Sequence, residues 1–192
     1  MNAALRAMAL LVDPGAEWLQ IEQETGDPAF LLSRYVAAVA AVPALFGFIG
    51  SSLVGAVVPG MGVVHAPLFN GLFGAIFGYA EAFITVLVLA LIIDLLAPLF
   101  GGRRDFDGAL KLAAYSYTPM WLAGIFLVLP GLRFLWLTGF YGIYLLATGL
   151  PRLMKPSEQR TTSYVIVIAL CACALSYSAA AAQHAVFGTS AF

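Results

Sequence analysis

Two carboxylic acids, Glu81 and Asp94, interrupt the longest apolar run of the chain, which covers residues 71–98. A charged side chain at the centre of a bilayer costs about 2.5–3.5 kcal/mol on insertion scales, so each acid should face protein and find a partner. Glu81 lies in the middle of the run, with Thr85 one helical turn further along. Two hypotheses stay open for Glu81: a structural hydrogen bond, or a role in moving a proton or solute.

Asp94 occupies a different position from Glu81 on the same predicted helix. It lies about 140° around the helix and about 20 Å along it, so the two acids do not form one pair. Asp94 is near the end of the run, at the level expected for Lys111. We therefore predict that Asp94 pairs with Lys111, or else with Arg103 or Arg104.

The stretch "AYSYTP" (114–119) places four hydroxyl groups beside a proline within a further apolar run. Pro119 lacks a backbone N–H and its ring clashes with the carbonyl of Tyr115, so a helix should kink here. The serine and threonine just before the proline are placed to satisfy the freed backbone groups. Tyr115 and Tyr117 project on different faces, and Glu81 is a candidate acceptor for one of their hydroxyls.

Other reactive side chains are few. The only two histidines, His65 and His184, have no acid or thiolate nearby in sequence and make a poor zinc set. Cys171 and Cys173 point about 200° apart on a helix, so they cannot form a disulfide with each other. Motifs for serine hydrolysis, nucleotide phosphates or zinc proteolysis do not occur. We expect no catalytic residue, no metal site, no cofactor and no enzymatic activity.

The composition indicates a membrane protein. Of 192 residues, 62% are hydrophobic and only 10% are charged, whereas soluble domains are about half apolar and about a quarter charged. The net charge of −1 gives no basic patch for nucleic acid. We predict an all-α polytopic protein whose main partner is the lipid bilayer, with a membrane-protein partner or a homo-oligomer as a further prediction.

Five segments are apolar over the roughly 20 residues that a spanning helix needs. We number these predicted spans 1 to 5, at residues 35–58, 71–98, 109–129, 132–150 and 163–184. Pro130-Gly131 is the only break between spans 3 and 4, which predicts an antiparallel hairpin. The chain then divides into an N-terminal arm (1–34), a five-helix transmembrane domain (35–185) and an extracytoplasmic tail (186–192).

Basic residues are distributed unequally between the two sides of this arrangement, and such a bias sets orientation. One side carries only Arg133, in the turn between spans 3 and 4. The other side carries eight basic residues: Arg6, Arg34, Arg103, Arg104, Lys111, Arg152, Lys155 and Arg160. We predict a multi-pass protein of a bacterial cytoplasmic (inner) membrane, with the N-terminus cytoplasmic and the C-terminus extracytoplasmic.

The N-terminal arm contains a helix start signal at Asp13, a good N-cap, followed by Pro14. Trp18 and Ile21, with Leu11, can then lie on one apolar face. This pattern predicts a short helix lying in the membrane interface. A solvent-facing cytoplasmic helix is the alternative.

Small residues at four-residue spacing mark the predicted packing faces of spans 1 and 2, because helices in lipid associate through such residues. The GxxxG stretch "GAIFG" is compatible with a dimer, although packing within one chain is the favoured interpretation. The predicted packing residues are Gly47, Ser51 and Gly55 in span 1, and Gly74 and Gly78 in span 2.

The order of several motifs resembles the bacterial branch of the Yip family, membrane proteins named for their interaction with Ypt/Rab GTPases. The matching features are Gly101-Gly102 after an apolar span, Tyr115, Pro119, Pro130 and the stretch "YLLATGLPRLMK". The stretches "VPALFGFIG" and "DPGAEWLQIEQE" upstream are also similar. The resemblance covers about residues 5 to 180.

The resemblance implies five spans with a cytoplasmic N-terminus. Eukaryotic members are linked to Rab GTPases and vesicle traffic, but this sequence lacks their "DLYGP"-like stretch, so we do not expect a GTPase partner. No catalytic residue is carried over. Two functions remain as hypotheses: a non-enzymatic protein that organises membrane or partner proteins, and a small carrier or channel that uses Glu81 and the Tyr115–Pro119 kink.

Overall fold

The chain folds as an α-helical bundle with one very short β-hairpin. The computed structural model describes residues 2–58, 60 and 62–187. The α-helices are α1 (Ala3–Val12), α2 (Pro14–Gln23), α3 (Pro28–Phe30), α4 (Ala37–Phe48), α5 (Leu68–Leu96), α6 (Phe106–Ser116), α7 (Thr118–Ala123), α8 (Tyr141–Leu153) and α9 (Glu158–Phe187). Short π-helical segments (Leu31–Val36, Ile49–Val54) and 3₁₀ segments (Ala97–Phe100, Gly124–Val128, Pro130–Phe140) extend these helices.

Four continuous helical stretches of the described residues are long and apolar enough to cross a membrane. They are Pro28–Val54, Leu68–Phe100, Gly131–Leu153 and Glu158–Val186. These stretches correspond to predicted spans 1, 2, 4 and 5, and establish an all-α protein with several candidate membrane helices. Span 1 begins earlier than predicted because Asp27 caps the helix through the N–H groups of Ala29 and Phe30.

Predicted span 3 is the exception, because its helix is broken. α6 ends at Ser116, α7 begins at Thr118, and a 3₁₀ segment continues to Val128. The break lies at Tyr117, two residues before Pro119, which cannot donate to the helical ladder. We call residues 106–128 the broken segment.

The broken segment and the following helix form the antiparallel hairpin that Pro130-Gly131 predicts. The backbone of Leu132 bonds back to the carbonyl of Leu129, which closes the turn. Further along, added Cβ atoms at Gly139 and Gly142 would meet Met120 and the Ser116 carbonyl respectively. The two helical segments of this hairpin therefore run antiparallel and in close contact.

Gly55 does not serve helix packing, which corrects the prediction for span 1. It ends the π-helical segment with a positive φ of 80°, a conformation that favours glycine. The chain then enters a two-stranded antiparallel hairpin, β1 (Ala56–Val58) with β2 (Gly62–Val64). A Cβ at Gly55 would lie 2.8 Å from the Val64 carbonyl oxygen, so the glycine is required by this turn.

The other predicted packing residues have unequal roles. A Cβ at Gly74 would meet no heavy atom within 4 Å in the described part of the chain, so its predicted packing role is wrong there. Gly47 makes an ordinary contact with Leu127, Ser51 bonds to the Phe48 carbonyl, and Gly78 lies against the Gln183 side chain. The tightest approaches in spans 1 and 2 are at two other glycines, Gly50 and Gly71.

The N-terminal arm folds back on itself as a helical hairpin. α1 and α2 are joined only by Asp13, which accepts from the Ala16 N–H and caps α2 as predicted. The tip of the hairpin reaches the Tyr141 hydroxyl, which donates to the Leu11 carbonyl at 3.4 Å. Tyr141 lies about 18 Å along α8 from Leu153 at 1.5 Å per residue, so the arm runs beside the bundle.

This docking corrects the prediction for the apolar face of α2. Trp18 and Ile21 are fully buried against protein and do not face lipid. Leu11 remains exposed, together with Leu5, Met8 and Val12 on α1. The exposed apolar face of the arm therefore belongs mainly to α1, a helix that the sequence analysis did not single out.

The buried core lies at the end of the bundle that carries the arm. Its large members include Ile93 from α5, Leu112 from α6, Leu150 from α8 and Tyr164 from α9. We call this end, with the arm and the loops at 101–105 and 154–157, the arm end. Of the predicted tail 186–192, residues 188–192 lie outside the described residues.

Candidate functional site

An ionic cluster around the buried Arg6 joins α1 to α2 within the arm and contacts the bundle through the Tyr115 ring. The guanidinium lies 2.7 Å from Oε1 of Glu17 and donates a hydrogen bond to Glu24. It also lies over the Tyr115 ring, 5.8 Å from its centroid. Burial opposes the charge, but the bond to Glu24 and the nearby acids raise the pKa of Arg6 above its ordinary value. We call Arg6, Glu17, Glu24 and Tyr115 the arm cluster.

Trp18 fixes the arm against α8. Its indole N–H donates to the Thr148 hydroxyl at 3.2 Å, which satisfies the polar atom of an otherwise buried ring. Gly149 makes this approach possible, because a Cβ there would lie 2.6 Å from the indole ring. The Trp18 ring also meets the edge of Tyr115, at a centroid distance of 6.1 Å.

Two lysines hold the end of α2 at the arm end of the bundle. Lys111 donates to the carbonyl oxygens of Ile21 (3.2 Å) and Glu24 (2.6 Å). Cations are favourable at a helix C-terminus, where carbonyl groups lack helical partners. Lys155 pairs with Glu22 at 2.8 Å on the other side. Lys111 therefore anchors the arm and does not serve as the partner of Asp94, for which it was the first candidate.

A cavity of about 460 Å³ opens between the arm and the bundle. Arg6, Glu24 and Tyr115 of the arm cluster line it, together with Arg34 and Asp107. Its lining therefore carries charged groups of both signs. The arrangement suits the solvation of the arm end rather than the binding of one charged ligand.

The hydroxyl groups of "AYSYTP" bond to three different neighbours. Thr118 shares a 2.6 Å hydrogen bond with the Tyr35 hydroxyl of span 1. Tyr117 donates to the Ala172 carbonyl at 3.3 Å and meets the Ser176 hydroxyl at 3.2 Å. The break in the helix is therefore tied to span 1 and to α9, whereas the expected bonds from serine and threonine to the freed backbone groups do not form.

Glu81 lies in the middle of α5, half-buried, with Thr85 one turn away and also half-buried. Neither tyrosine of the broken segment reaches it, because Tyr117 bonds to α9 and Tyr115 lies in the arm cluster. Within the described residues, no hydrogen bond or ion pair to Glu81 is formed. The predicted bond from a tyrosine to Glu81 is therefore wrong in this structure.

Asp94 has a strong partner, which is the last of its three candidates. Arg104 donates to Oδ2 of Asp94 from Nε at 3.0 Å and from Nη2 at 2.8 Å. Asp94 is buried, whereas Arg104 is half-exposed. The buried carboxylate near the end of α5 is therefore neutralised by a guanidinium that stays hydrated. Arg103 makes only a long, exposed contact of 3.7 Å with Asp105.

Sequence reasoning missed the central members of this site. In the sequence, Arg6 counts only toward orientation, and no pattern gives Glu17 a role. A usable signal was present, because Arg6 lies in the otherwise apolar helix "AALRAMALLV" and such a charge needs a partner. Trp18 is expected on an apolar face, but its partners Thr148 and Gly149 lie about 130 residues away and leave no local trace.

The site contains no set of ligands for a metal. Within the described residues, no group of three His, Cys, Asp or Glu side chains is placed to hold an ion. The carboxylates of the arm cluster already face Arg6. What this arrangement does physically is hold the arm in one position.

Comparisons with known proteins identify the relatives of this chain. The inner membrane protein YohC of Escherichia coli (strain K12) is 25% identical over 159 residues, which cover 81% of this chain and 82% of that protein. YohC of Escherichia coli O6:H1 (strain CFT073) gives the same values. No solved structure matches this chain. The family profile of the Yip1 domain matches residues 8–180, from the middle of α1 to the last turns of α9. The chain thus belongs to the Yip1 domain family of membrane proteins.

Proposed function

We propose that this protein is a non-enzymatic organiser of the bilayer, which holds its N-terminal arm as a wedge in one leaflet. The observation that carries the proposal is the arm hairpin itself, which runs beside α8 with Arg6 and Glu17 buried and with the apolar side chains of α1 exposed. On α1, the exposed fractions are 60% for Leu5, 62% for Met8 and 83% for Val12. These residues follow one face of the helix, at spacings of three and four.

A wedge requires the arm to lie within the depth of the membrane. Span 4 reaches the arm end at Leu153, and the tip of the arm meets Tyr141 about 18 Å along α8. The hydrocarbon core is about 30 Å thick. The tip therefore lies near mid-membrane depth, and α1 presents its apolar face to acyl chains of one leaflet only.

The ionic cluster supports such a position. Glu17 and Arg6 are buried and paired, so their charges do not face acyl chains. Buried charges are tolerated in this way only when each has a partner. Bonds from Trp18, Lys111 and Tyr141 then prevent the hairpin from leaving the bundle.

We further propose that the broken segment is a fifth crossing. With α-helical and 3₁₀ rises, its 23 residues extend about 35 Å, which is enough for the hydrocarbon core. Together with the eight-to-one distribution of basic residues, this arrangement puts the arm in the cytoplasmic leaflet of an inner membrane and the C-terminus outside. A membrane-protein partner or homo-oligomer stays a prediction of the sequence.

The carrier hypothesis has less support. A pathway through Glu81 requires a polar cavity that reaches it from one side. Glu81 lines none of the four well-formed cavities considered in the described part of the chain.

Curvature sorting tests the proposed function. The full chain, with a fluorophore on its N-terminus, is reconstituted into vesicles of phosphatidylethanolamine and phosphatidylglycerol of mixed radius. A membrane-impermeant quencher is then added outside, and the fluorescence that it removes is taken as the signal, so only molecules with the arm in the outer leaflet are counted. We expect the protein density to rise on the smallest vesicles, because a wedge in the outer leaflet favours high curvature.

A matched pair of variants isolates the arm. Leu5→Ala, Met8→Ala and Val12→Ala together should flatten the dependence on radius. The same number of exposed residues is removed from α9 by Ile166→Ala, Leu170→Ala and Tyr177→Ala, and sorting should persist. Uniform density of the unaltered protein, or equal loss in both variants, would contradict a wedge formed by the arm.

A further inference from the structure

A second cavity lies away from the arm cluster, between the broken segment, span 4 and α9. Its volume is about 330 Å³. Leu89, Met120, Leu146 and Ala169 contribute to its apolar walls, and no charged residue lines it. The size lies at the lower end of the range for small-molecule sites, which are mostly apolar with a few placed polar groups.

One polar group in this wall lacks a partner. Ser116 is only 8% exposed, and its Oγ makes no hydrogen bond in the described part of the chain. Two further hydroxyls at this site, on Tyr117 and Ser176, bond to each other, and the Tyr177 side chain is exposed. A buried hydroxyl without a partner is unfavourable, so an orphan group beside a cavity points to a missing acceptor.

The cavity opens toward lipid rather than toward water. Trp136, Phe140, Ile143 and Tyr177 line it and are exposed on the outside of the bundle. Ser116 lies about 15 Å along the broken segment from Phe106. If that segment crosses the membrane as proposed above, the hydroxyl lies near the bilayer centre, too deep for the ester groups of a phospholipid anchored at the surface.

We propose that this cavity binds an uncharged, lipid-soluble carbonyl compound whose oxygen accepts a hydrogen bond from Ser116 Oγ. The apolar walls hold a ring or chain, and the lack of a lining cation excludes a phosphate or carboxylate head. A quinone-like molecule that dissolves in the hydrocarbon core has the required chemistry. The site is independent of the arm cluster, so failure of the wedge would leave it standing.

Decylubiquinone is the probe, and Trp136 at the mouth is the reporter. The full chain is embedded in lipid nanodiscs and titrated with the quinone while tryptophan fluorescence is recorded. The same titration of Trp136→Phe is subtracted, which isolates the quenching of Trp136. We expect saturable quenching, because a site fills whereas partition into lipid does not.

Three variants and a second quencher test the role of the hydroxyl. Ser116→Ala should weaken decylubiquinone binding by about two- to tenfold, the usual value of one hydrogen bond. The matched control Ser178→Ala removes an exposed hydroxyl that bonds within α9, and should leave binding unchanged. Cys173→Phe fills the cavity and should abolish saturation.

Bromododecane, an apolar quencher without a carbonyl, should quench Ser116→Ala and the unaltered protein equally. Non-saturable quenching by decylubiquinone, or equal quinone affinity with and without the Ser116 hydroxyl, would overturn the proposal.

Discussion

Charged side chains have different surroundings at the arm end of the bundle and in the middle of span 2. At the arm end, Arg6 pairs with Glu17 and Asp94 pairs with Arg104. In mid-span, Glu81 is half-buried and has no partner among the described residues. The charges that have partners are those that join secondary-structure elements. The charged groups of the arm end therefore stabilise the fold, whereas Glu81 does not.

The difference has a physical cause. A carboxylate and a guanidinium stabilise a buried contact only when both are present, and removing one partner leaves an uncompensated charge. A single acid without a cation can instead take up a proton and behave as a neutral polar group. Substitutions at the two places should therefore differ strongly in their effect on stability.

The largest effect is expected for Arg6→Ala. It leaves Glu17 buried without its cation, and such losses typically reduce the free energy of unfolding by about 3–5 kcal/mol. Denaturant titration in a mild detergent measures the loss. The control Arg103→Ala breaks an exposed pair of 3.7 Å and should change stability by less than about 1 kcal/mol. Equal effects of the two substitutions would show that the arm cluster does not stabilise the fold.

An intermediate effect is expected for Asp94→Asn. It replaces a carboxylate by a neutral amide, so the two bonds from Arg104 lose the attraction between opposite charges, which should cost about 1.5 kcal/mol. The half-exposed Arg104 stays hydrated, so the loss remains below that of the Arg6 variant. Arg104→Ala should cost more in the same titration, because it leaves the buried Asp94 carboxylate without its cation. A neutral outcome for both substitutions would show that the pair contributes nothing.

The smallest effect is expected for Glu81→Gln. No bond is lost among the described residues, so the free energy of unfolding should change by less than about 0.5 kcal/mol. Flux of protons or small solutes through reconstituted vesicles should also be the same with and without the substitution. A loss of stability above about 2 kcal/mol would show that Glu81 stabilises the fold, and a flux that disappears in the variant would show that Glu81 has a role in transport.

Much of the architecture could be predicted because it depends on local signals. Apolar run length indicates spans 1, 2, 4 and 5, and Pro130-Gly131 indicates the hairpin. Asp13 and Asp27 mark helix starts through their side chains alone. Pro119 predicts a kink in span 3. The structure has a complete break in the helix instead, at Tyr117.

The remainder depends on contacts between distant residues, which periodicity does not encode. Trp18 has an apolar face that fits lipid or protein equally well, and only Gly149 decides between them. Lys111 and Arg104 are equivalent candidates for Asp94 by charge and level. Gly55 has the spacing of a packing residue, yet the β-hairpin that follows requires its positive φ.

The position of the arm tip in the bilayer is the central claim, and a spin label at Val12 tests it most directly. Val12 is the most exposed apolar residue of α1, so Val12→Cys in a variant with Cys171 and Cys173 replaced by alanine should fold normally. A matched label at Gln23, at the other end of the hairpin, gives the reference for the aqueous surface. Collisions with oxygen and with a water-soluble nickel complex are then measured in reconstituted vesicles. An arm tip inside the bilayer gives high oxygen and low nickel accessibility at Val12, and the reverse at Gln23. Equal nickel accessibility at both positions would show that the tip lies outside the bilayer.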